Sequence, residues 1–303
     1  MYTISGTEIF FNIERGFPMK KSAHPLEVGA ISHFMPDNGN PFDPIVRYGL
    51  SVTQFCNWDI PMFTKENAEK LVKQAKSAKV RVNSLWCGYS GPRVWNFIEG
   101  PATLGFVPPE YRKQRVIELK KGADFAARCS IPAVITHCGF IPENPGDPLY
   151  APTRDAIGEV AGYCKKLGVE FWFETGQETP VTLLRMIQDL GLPNLGINFD
   201  TGNVILYGKA NPVDALDVFG QYVKCIHAKD ALYPTDGRNL GKEVRVGTGR
   251  ARYAVLVPKL YKLGYNGDLV IEREISGEQQ KRDIMRTIVY LRKLADKAIA
   301  KGR

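Results

Sequence analysis

The chain has 303 residues, 44% of them hydrophobic and 24% charged, with a formal net charge of +8. That balance suits a folded protein with a large core, and it excludes a wholly disordered or collagen-like chain. No run approaches the ~20 apolar residues that cross a bilayer, and the opening MYTISGTEIFFNIERGFPMKK has no basic leader, so neither a membrane span nor a signal peptide is expected.

Met19-Lys20-Lys21 offers an alternative start, which would make residues 1–18 an extension. Downstream, short β-branched or aromatic segments alternate with amphipathic ones. The first strands expected are 26–34 (LEVGAISHF) and 48–55 (YGLSVTQF), followed by a helix capped at Thr64 that runs to about Ala78. A strand at 80–86 leads through an irregular stretch, 87–108, into a helix from Pro109 to Cys129. The strand 133–140 precedes a helix from Thr153 to near Leu167, and the strand 169–175 precedes one from Thr179-Pro180 to near Gly191. A sixth strand, 195–200, is followed by a helix opening at Asn211-Pro212. The seventh, 223–229, leads through a second irregular stretch, 231–250, to a helix from Tyr253. The eighth, 268–274, ends in a long terminal helix from about Gln279.

Eight buried strands, each followed by a helix or helix-like link, predict an α/β fold with an all-parallel sheet. About 38 residues per unit suit a single (β/α)8 TIM barrel over residues 1–303. An open doubly wound sheet is the alternative, but the GxGxxG that usually follows its first strand does not occur. No composition shift or Pro/Ser-rich linker marks a domain boundary.

The six cysteines form no CxxC pair and several lie in apolar runs, so they read as reduced, buried thiols of a cytoplasmic protein. Much of the positive excess falls in the last helix and tail, from Lys281 to Arg303, interrupted by Asp283 and Asp296. A solvated helix face accounts for it better than a nucleic-acid surface.

Four expected strands end in a residue able to bind a metal: Glu174, Asp200, His227 and Glu272. In a parallel barrel, neighbouring strand ends meet on the face where catalytic residues lie. Three carboxylates and an imidazole converging there would repel one another unless a cation sat between them. Mixed oxygen and nitrogen ligation suits Mn2+, Mg2+, Co2+ or Zn2+, with positions left open for substrate. His137 closes the fourth strand on the same face and is a candidate acid/base or substrate contact. Lys229 is placed to hold a substrate oxygen or a phosphate. Trp58, Trp86 and Trp95 fall in or after the second and third strands, where aromatic faces stack on sugars. Glu274 lies two residues beyond Glu272 and shares its side of the strand, as a supporting or substrate-binding group. Gly247-Thr248-Gly249 is a short GxG that would let backbone approach an anion. No GxSxG, P-loop or HExxH motif occurs, which leaves serine hydrolase, nucleotide kinase and zincin readings without support.

The segments FETGQETP, NFDTGN, IHAKD, GYNGDLVIEREISGEQQ and ITHCGFIPENPGDPLY resemble the xylose isomerase-like barrel superfamily, in its sugar phosphate isomerase/epimerase branch. The resemblance runs from about residue 24 onward and is most specific over 130–285. It implies one divalent cation, manganese first, held by Glu174, Asp200, His227 and Glu272. It also implies that the two glutamates act as an acid/base pair on a sugar, through a metal-stabilised enediolate. Two positions depart from the ketose 3-epimerases: Asn203 stands where they carry histidine and Tyr233 where they carry arginine. Both positions contact the sugar in those enzymes, which counts against a simple free ketose.

The same barrel resembles the larger subunit of C-glycoside deglycosidases, lyases of 3-oxo-glycosides that need Mn2+ and a small β-rich partner; there His137 would be the acid/base. Inosose dehydratase is a third relative. Endonuclease IV shares the fold but needs three zinc ions and many histidines; this chain has four, with His24 and His33 far upstream. The expected partners are therefore a small carbohydrate and a second copy of the chain or a β-rich subunit, with no nucleic acid and no membrane. A non-catalytic sugar-binding barrel with a structural metal is the alternative outside catalysis, and it would exchange no solvent deuterium into a sugar.

Overall fold

A computed structural model describes residues 26–34 and 39–302 of the chain. The expected extension at 1–18 and His24 lie outside the described residues. Ten strands are described: β1 (Val28–His33), β2 (Val52–Asn57), β3 (Arg81–Cys87), β4 (Ala133–His137), β5 (Glu170–Glu174), β6 (Leu195–Asp200), β7 (Val223–Ala228), β8 (Asp230–Leu232), β9 (Lys242–Val244) and β10 (Leu269–Ile271). The helices are α1 (Asp43–Arg47), α2 (Lys65–Ala78), α3 (Gly100–Thr103), α4 (Pro109–Arg128), α5 (Tyr150–Lys166), α6 (Pro180–Leu190), α7 (Asn203–Leu206), α8 (Pro212–Phe219), α9 (Tyr253–Lys262) and α10 (Gly277–Gly302).

Eight of the strands close into a barrel in the order β1-β10-β7-β6-β5-β4-β3-β2, every neighbouring pair parallel. The expected (β/α)8 barrel is thus the observed fold. Both faces of its strands are covered, which is why β2, β4 and β6 are buried along their whole length and read as nearly unbroken apolar runs. Local chemistry sets the helix ends. Thr64 and Thr179 accept from the backbone N–H of Asn67 and Thr182, and Asn211 accepts from Val213, so each begins its helix as a cap. α10 buries Ile284, Ile288, Leu291, Ala295 and Ala298 at helical spacing, while Lys281, Arg286, Arg292, Lys293 and Lys297 face solvent as expected. Asp283 is the exception within that helix: it is buried and accepts from Arg273 and Gln279. Among the described residues no helix is long and apolar enough to cross a membrane.

Several boundaries differ from expectation. The second strand starts at Val52 because Leu50 N–H still bonds Ile45 at the end of α1, which the sequence reading lacks. The fourth stops at His137, since Gly139 turns with φ +90°. α5 begins earlier, at Tyr150, led in by Asp147, which accepts from Leu149. The stretch 231–250 is not wholly irregular: β8 and β9 form a small antiparallel hairpin there. The eighth barrel strand ends at Ile271, so Glu272 and Glu274 stand beyond it.

The long β3–α4 connection is held by a fully buried arginine. Arg115 donates to the carbonyls of Gly105 at 2.6 Å, Pro92 at 3.0 Å and Ser90 at 3.3 Å, and lies over the Tyr89 ring at 4.2 Å. Gly105 and Gly139 let this connection cross the end of β4. A Cβ on Gly105 would stand 2.0 Å from the Cys138 carbonyl oxygen, and one on Gly139 would stand 2.2 Å from that of Leu104. The crossing fixes the chain directly after His137 and brings Trp95 to the barrel mouth.

Candidate metal centre

Adjacent strand ends bring the four expected ligands together. Glu174 closes β5, Asp200 closes β6, His227 is the penultimate residue of β7, and Glu272 follows β10. One ligand atom from each lies within 4.8 Å of all the others. His227 Nδ1 stands 2.9 Å from Glu174 Oε1, 3.2 Å from Glu272 Oε2 and 3.6 Å from Asp200 Oδ2. Glu174, Asp200 and His227 are buried, and the Glu272 side chain is 18% exposed.

The surrounding hydrogen bonds aim these atoms inward. Gln54, fully buried on β2, uses its amide nitrogen to donate to Ser84 Oγ at 3.1 Å and reaches Asn198 Oδ1 at 3.5 Å. Its Oε1 therefore faces His227 Nε2 at 2.6 Å, which places a ring proton on Nε2 and turns Nδ1 toward the carboxylates, where a metal would displace its proton. Asn198 donates to Glu174 Oε2. Asp200 Oδ1 accepts from the backbone N–H of Gly202 at 2.8 Å and Asn203 at 2.7 Å. Asp200 Oδ2 and His227 Nδ1 are buried and turned toward the other ligands, Nδ1 facing Glu174 Oε1 and Asp200 Oδ2. Buried atoms so packed together, with two more carboxylates, match what a divalent cation needs.

The electrostatics agree. Burial pushes the Glu174 and Asp200 carboxyls up, against the lowering pull of His227 on both and of Lys229 on Asp200. Burial works against charge on His227 too, yet Glu174 and Glu272 outweigh it and hold the imidazole well above its usual value. Glu272 is likewise opposed by burial, but Lys229 and His227 keep it well below the usual carboxylate range. In the absence of a metal, protons and Lys229 supply the positive charge that the carboxylates demand.

Lys229 does not face the cleft as expected. It is 1% exposed, with Nζ 2.6 Å from Glu274, 3.3 Å from Glu272 and 3.8 Å from Asp200. The carboxylates draw it in as their counter-ion, leaving no ammonium for a phosphate. The GxG also has an internal role: Gly247 and Gly249 N–H both donate at 2.9 Å to Asp230 Oδ2, so the anion it holds is the chain's own.

Beside the ligands opens a cleft of about 560 Å³. His137, Trp58, Trp86, Trp95 and Glu274 line it, together with Gln177, Asn203 and Tyr207. Trp58 lies 4.7 Å from Trp86 and 6.3 Å from Trp95, and His137 lies 5.0 Å from Trp95, forming one aromatic wall. Burial pushes the His137 imidazole down to about 3. Tyr233 is elsewhere, donating to the Ala210 carbonyl at 3.0 Å. Sequence reasoning passed over Gln54, Asn198 and Gln177. A polar side chain amid the apolar residues of β2 and β6 was the available signal for the first two.

The family model described as xylose isomerase-like TIM barrel matches residues 42–294. The chain belongs to that family. A xylose isomerase domain protein from Planctomyces limnophilus is 32% identical to this xylose isomerase-like barrel, with a TM-score of 0.86 over 91% of this chain and 99% of that one. A D-tagatose 3-epimerase-like protein is 19% identical, with a TM-score of 0.72 over 92% and 100% of the two chains. A xylose isomerase-like barrel protein from Mycobacterium smegmatis, solved in complex with magnesium, is 16% identical, with a TM-score of 0.66 over 91% and 98%. The last two likenesses are of fold.

Proposed function

We propose that this chain is a divalent-metal-dependent isomerase or epimerase acting on a sugar or sugar derivative in the cytoplasm. The observation that carries the reading is the convergence of Glu174, Asp200, His227 and Glu272, with one ligand atom from each within 4.8 Å of all the others. The fold shared with a D-tagatose 3-epimerase-like protein and with a magnesium complex supports it. The six free thiols support a reducing compartment.

A divalent ion, Mn2+ by preference, held by these four residues would supply Lewis-acid stabilisation of negative charge on substrate oxygens. The chain does the rest. In barrel order the four residues follow as Glu174, Asp200, His227 and Glu272, so the glutamates flank the arc from either end. One carboxylate takes the proton from the carbon beside the substrate carbonyl, and the other returns a proton to the opposite face. Trp58, Trp86 and Trp95 stack on the sugar and keep water from the reacting carbon. Lys229 balances the carboxylates. In a lyase reading His137 would be the acid/base, and burial keeps its imidazole in the neutral form that removes a proton.

The test is exchange in D2O with Mn2+ supplied, using ketoses, sugar phosphates and 3-oxo-glycosides. Deuterium should enter beside the carbonyl, and Glu174→Gln and Glu272→Gln should each slow entry about a thousandfold. Full exchange in either variant, or none in the metal-loaded wild type, would overturn the mechanism.

A further inference from the structure

We propose that the cleft takes a sugar bearing an uncharged, apolar substituent, in the manner of an aryl or alkyl glycoside, with the substituent against Pro41, Pro44, Tyr48, Leu240 and Ile284. The inference rests on the cleft being a sugar site, as proposed above, and names the class of sugar. Size is the first observation. A hexose displaces about six waters, or ~180 Å³ at ~30 Å³ each. The cleft, at about 560 Å³, is roughly three times as large. Clefts of ~300–1,000 Å³ enclose molecules well above a monosaccharide in size.

The lining divides in two. Trp58, Trp86 and Trp95 stand in or after β2 and β3, and their wall suits the apolar face of a sugar ring. The other side comes from segments beyond β1, β8 and β10. Pro41 precedes α1, Pro44 lies on it, Tyr48 follows it, Leu240 follows β8, and Ile284 lies on α10. β1 pairs with β10, so α1 and α10 reach the cleft on the Glu272 side of the ligands. Of these five side chains, only Tyr48 offers a hydrogen bond. Gln280, which lines the cleft from α10, donates its amide N–H to the Arg273 carbonyl at 2.8 Å. A second sugar ring would lose water there without replacement, whereas an apolar group would gain by burial. The charges exclude an anionic substituent. Glu272 and Glu274 line the cleft, and Arg273 is paired with Glu243 at 2.9 Å and Asp283 at 3.0 Å. Burial lowers His33 and His137, and Lys281, whose charge acts on Tyr48, is paired with Glu278 at 2.7 Å. Among the described lining residues, no cation is left for a phosphate.

The experiment titrates the Mn2+-supplied full chain, by calorimetry, with phenyl β-D-glucopyranoside, methyl β-D-glucopyranoside, cellobiose and D-fructose 6-phosphate. The phenyl glycoside should bind about tenfold or more tightly than each of the other three. Tyr48→Ser and Ile284→Ala should each weaken the phenyl glycoside about fivefold, with the methyl glycoside within about twofold and the metal stoichiometry unchanged. Tyr48 is only half-buried, so its variant keeps the test open if Ile284→Ala fails to fold. Equal binding of the two glycosides, equal or tighter binding of cellobiose or the phosphate ester, a phenyl preference that survives substitution, or no binding of either glycoside would overturn the proposal. Deuterium exchange read in parallel separates the two claims. Exchange into a sugar with equal binding of the two glycosides would sink only this subsite, whereas a phenyl preference without exchange into any sugar would sink only the isomerase reading.

Discussion

Gln54 is the residue through which the metal centre is most open to a clean perturbation. Gln54→Leu keeps the shape of a fully buried side chain and removes the acceptor 2.6 Å from His227 Nε2. The ring N–H is then stranded where water cannot reach, at a cost of about 1–3 kcal/mol. Ser84 and Asn198 lose a partner as well. Part of that cost falls on folding. The rest falls on the metal, because a ring free to turn or shift its proton no longer presents Nδ1 as a lone pair. Losing such a supporting group weakens metal binding by about 10–100-fold, or roughly 1.4–2.7 kcal/mol, in line with one buried hydrogen bond. Competition with a chelator for Mn2+ measures the affinity, and melting of the metal-free protein measures the folding share. Asn198→Leu should give a similar loss, and the double variant less than the sum, since both residues belong to one chain of bonds. Mn2+ affinity within twofold of wild type in Gln54→Leu would refute this account of His227.

Mn2+ affinity should fall as pH is lowered, because the raised His227 and Asp200 hold protons that binding must release; calorimetry in buffers of different ionisation enthalpy would show no proton release if the reasoning is wrong. Glu178, buried with Oε2 unpartnered, is pushed by burial to about 8. The folded state therefore keeps a proton that the unfolded state loses from about pH 4.5 upward, and stability declines as pH rises toward 8. Glu178→Gln should match wild type near pH 4 and exceed it at pH 8 by on the order of 3 kcal/mol in denaturant melts; equal gains at both pH values would contradict this. Arg115→Met should strip the carbonyls of Ser90, Pro92 and Gly105 of their donor, cost about 2–4 kcal/mol, and raise KM through the Trp95 connection; an unchanged melting temperature would contradict it.

The barrel and its four ligands were legible because each ligand interrupts an apolar run at a strand end, a pattern that local sequence carries by itself. His137 was legible for the same reason, whereas Trp95 is carried to the cleft by the β3–α4 connection. What local sequence does not carry is the partner across the barrel. Lys229 reads as a free cation beside His227 until Glu272 and Glu274, more than forty residues away, are seen to enclose it. Gly247-Thr248-Gly249 reads as an anion loop, and it is one, but its anion is Asp230. Glu272 and Glu274 were placed together by strand alternation, although the strand has ended at Ile271; Lys229 draws them together instead.

The most direct test of the central claim is the metal content of the purified chain beside Glu174→Gln and Asp200→Asn. The account predicts about one divalent ion per wild-type chain, after supply of Mn2+ if needed, and its loss in both variants. A wild-type chain that takes up no Mn2+, Mg2+, Co2+ or Zn2+, or variants that retain the full complement, would contradict it.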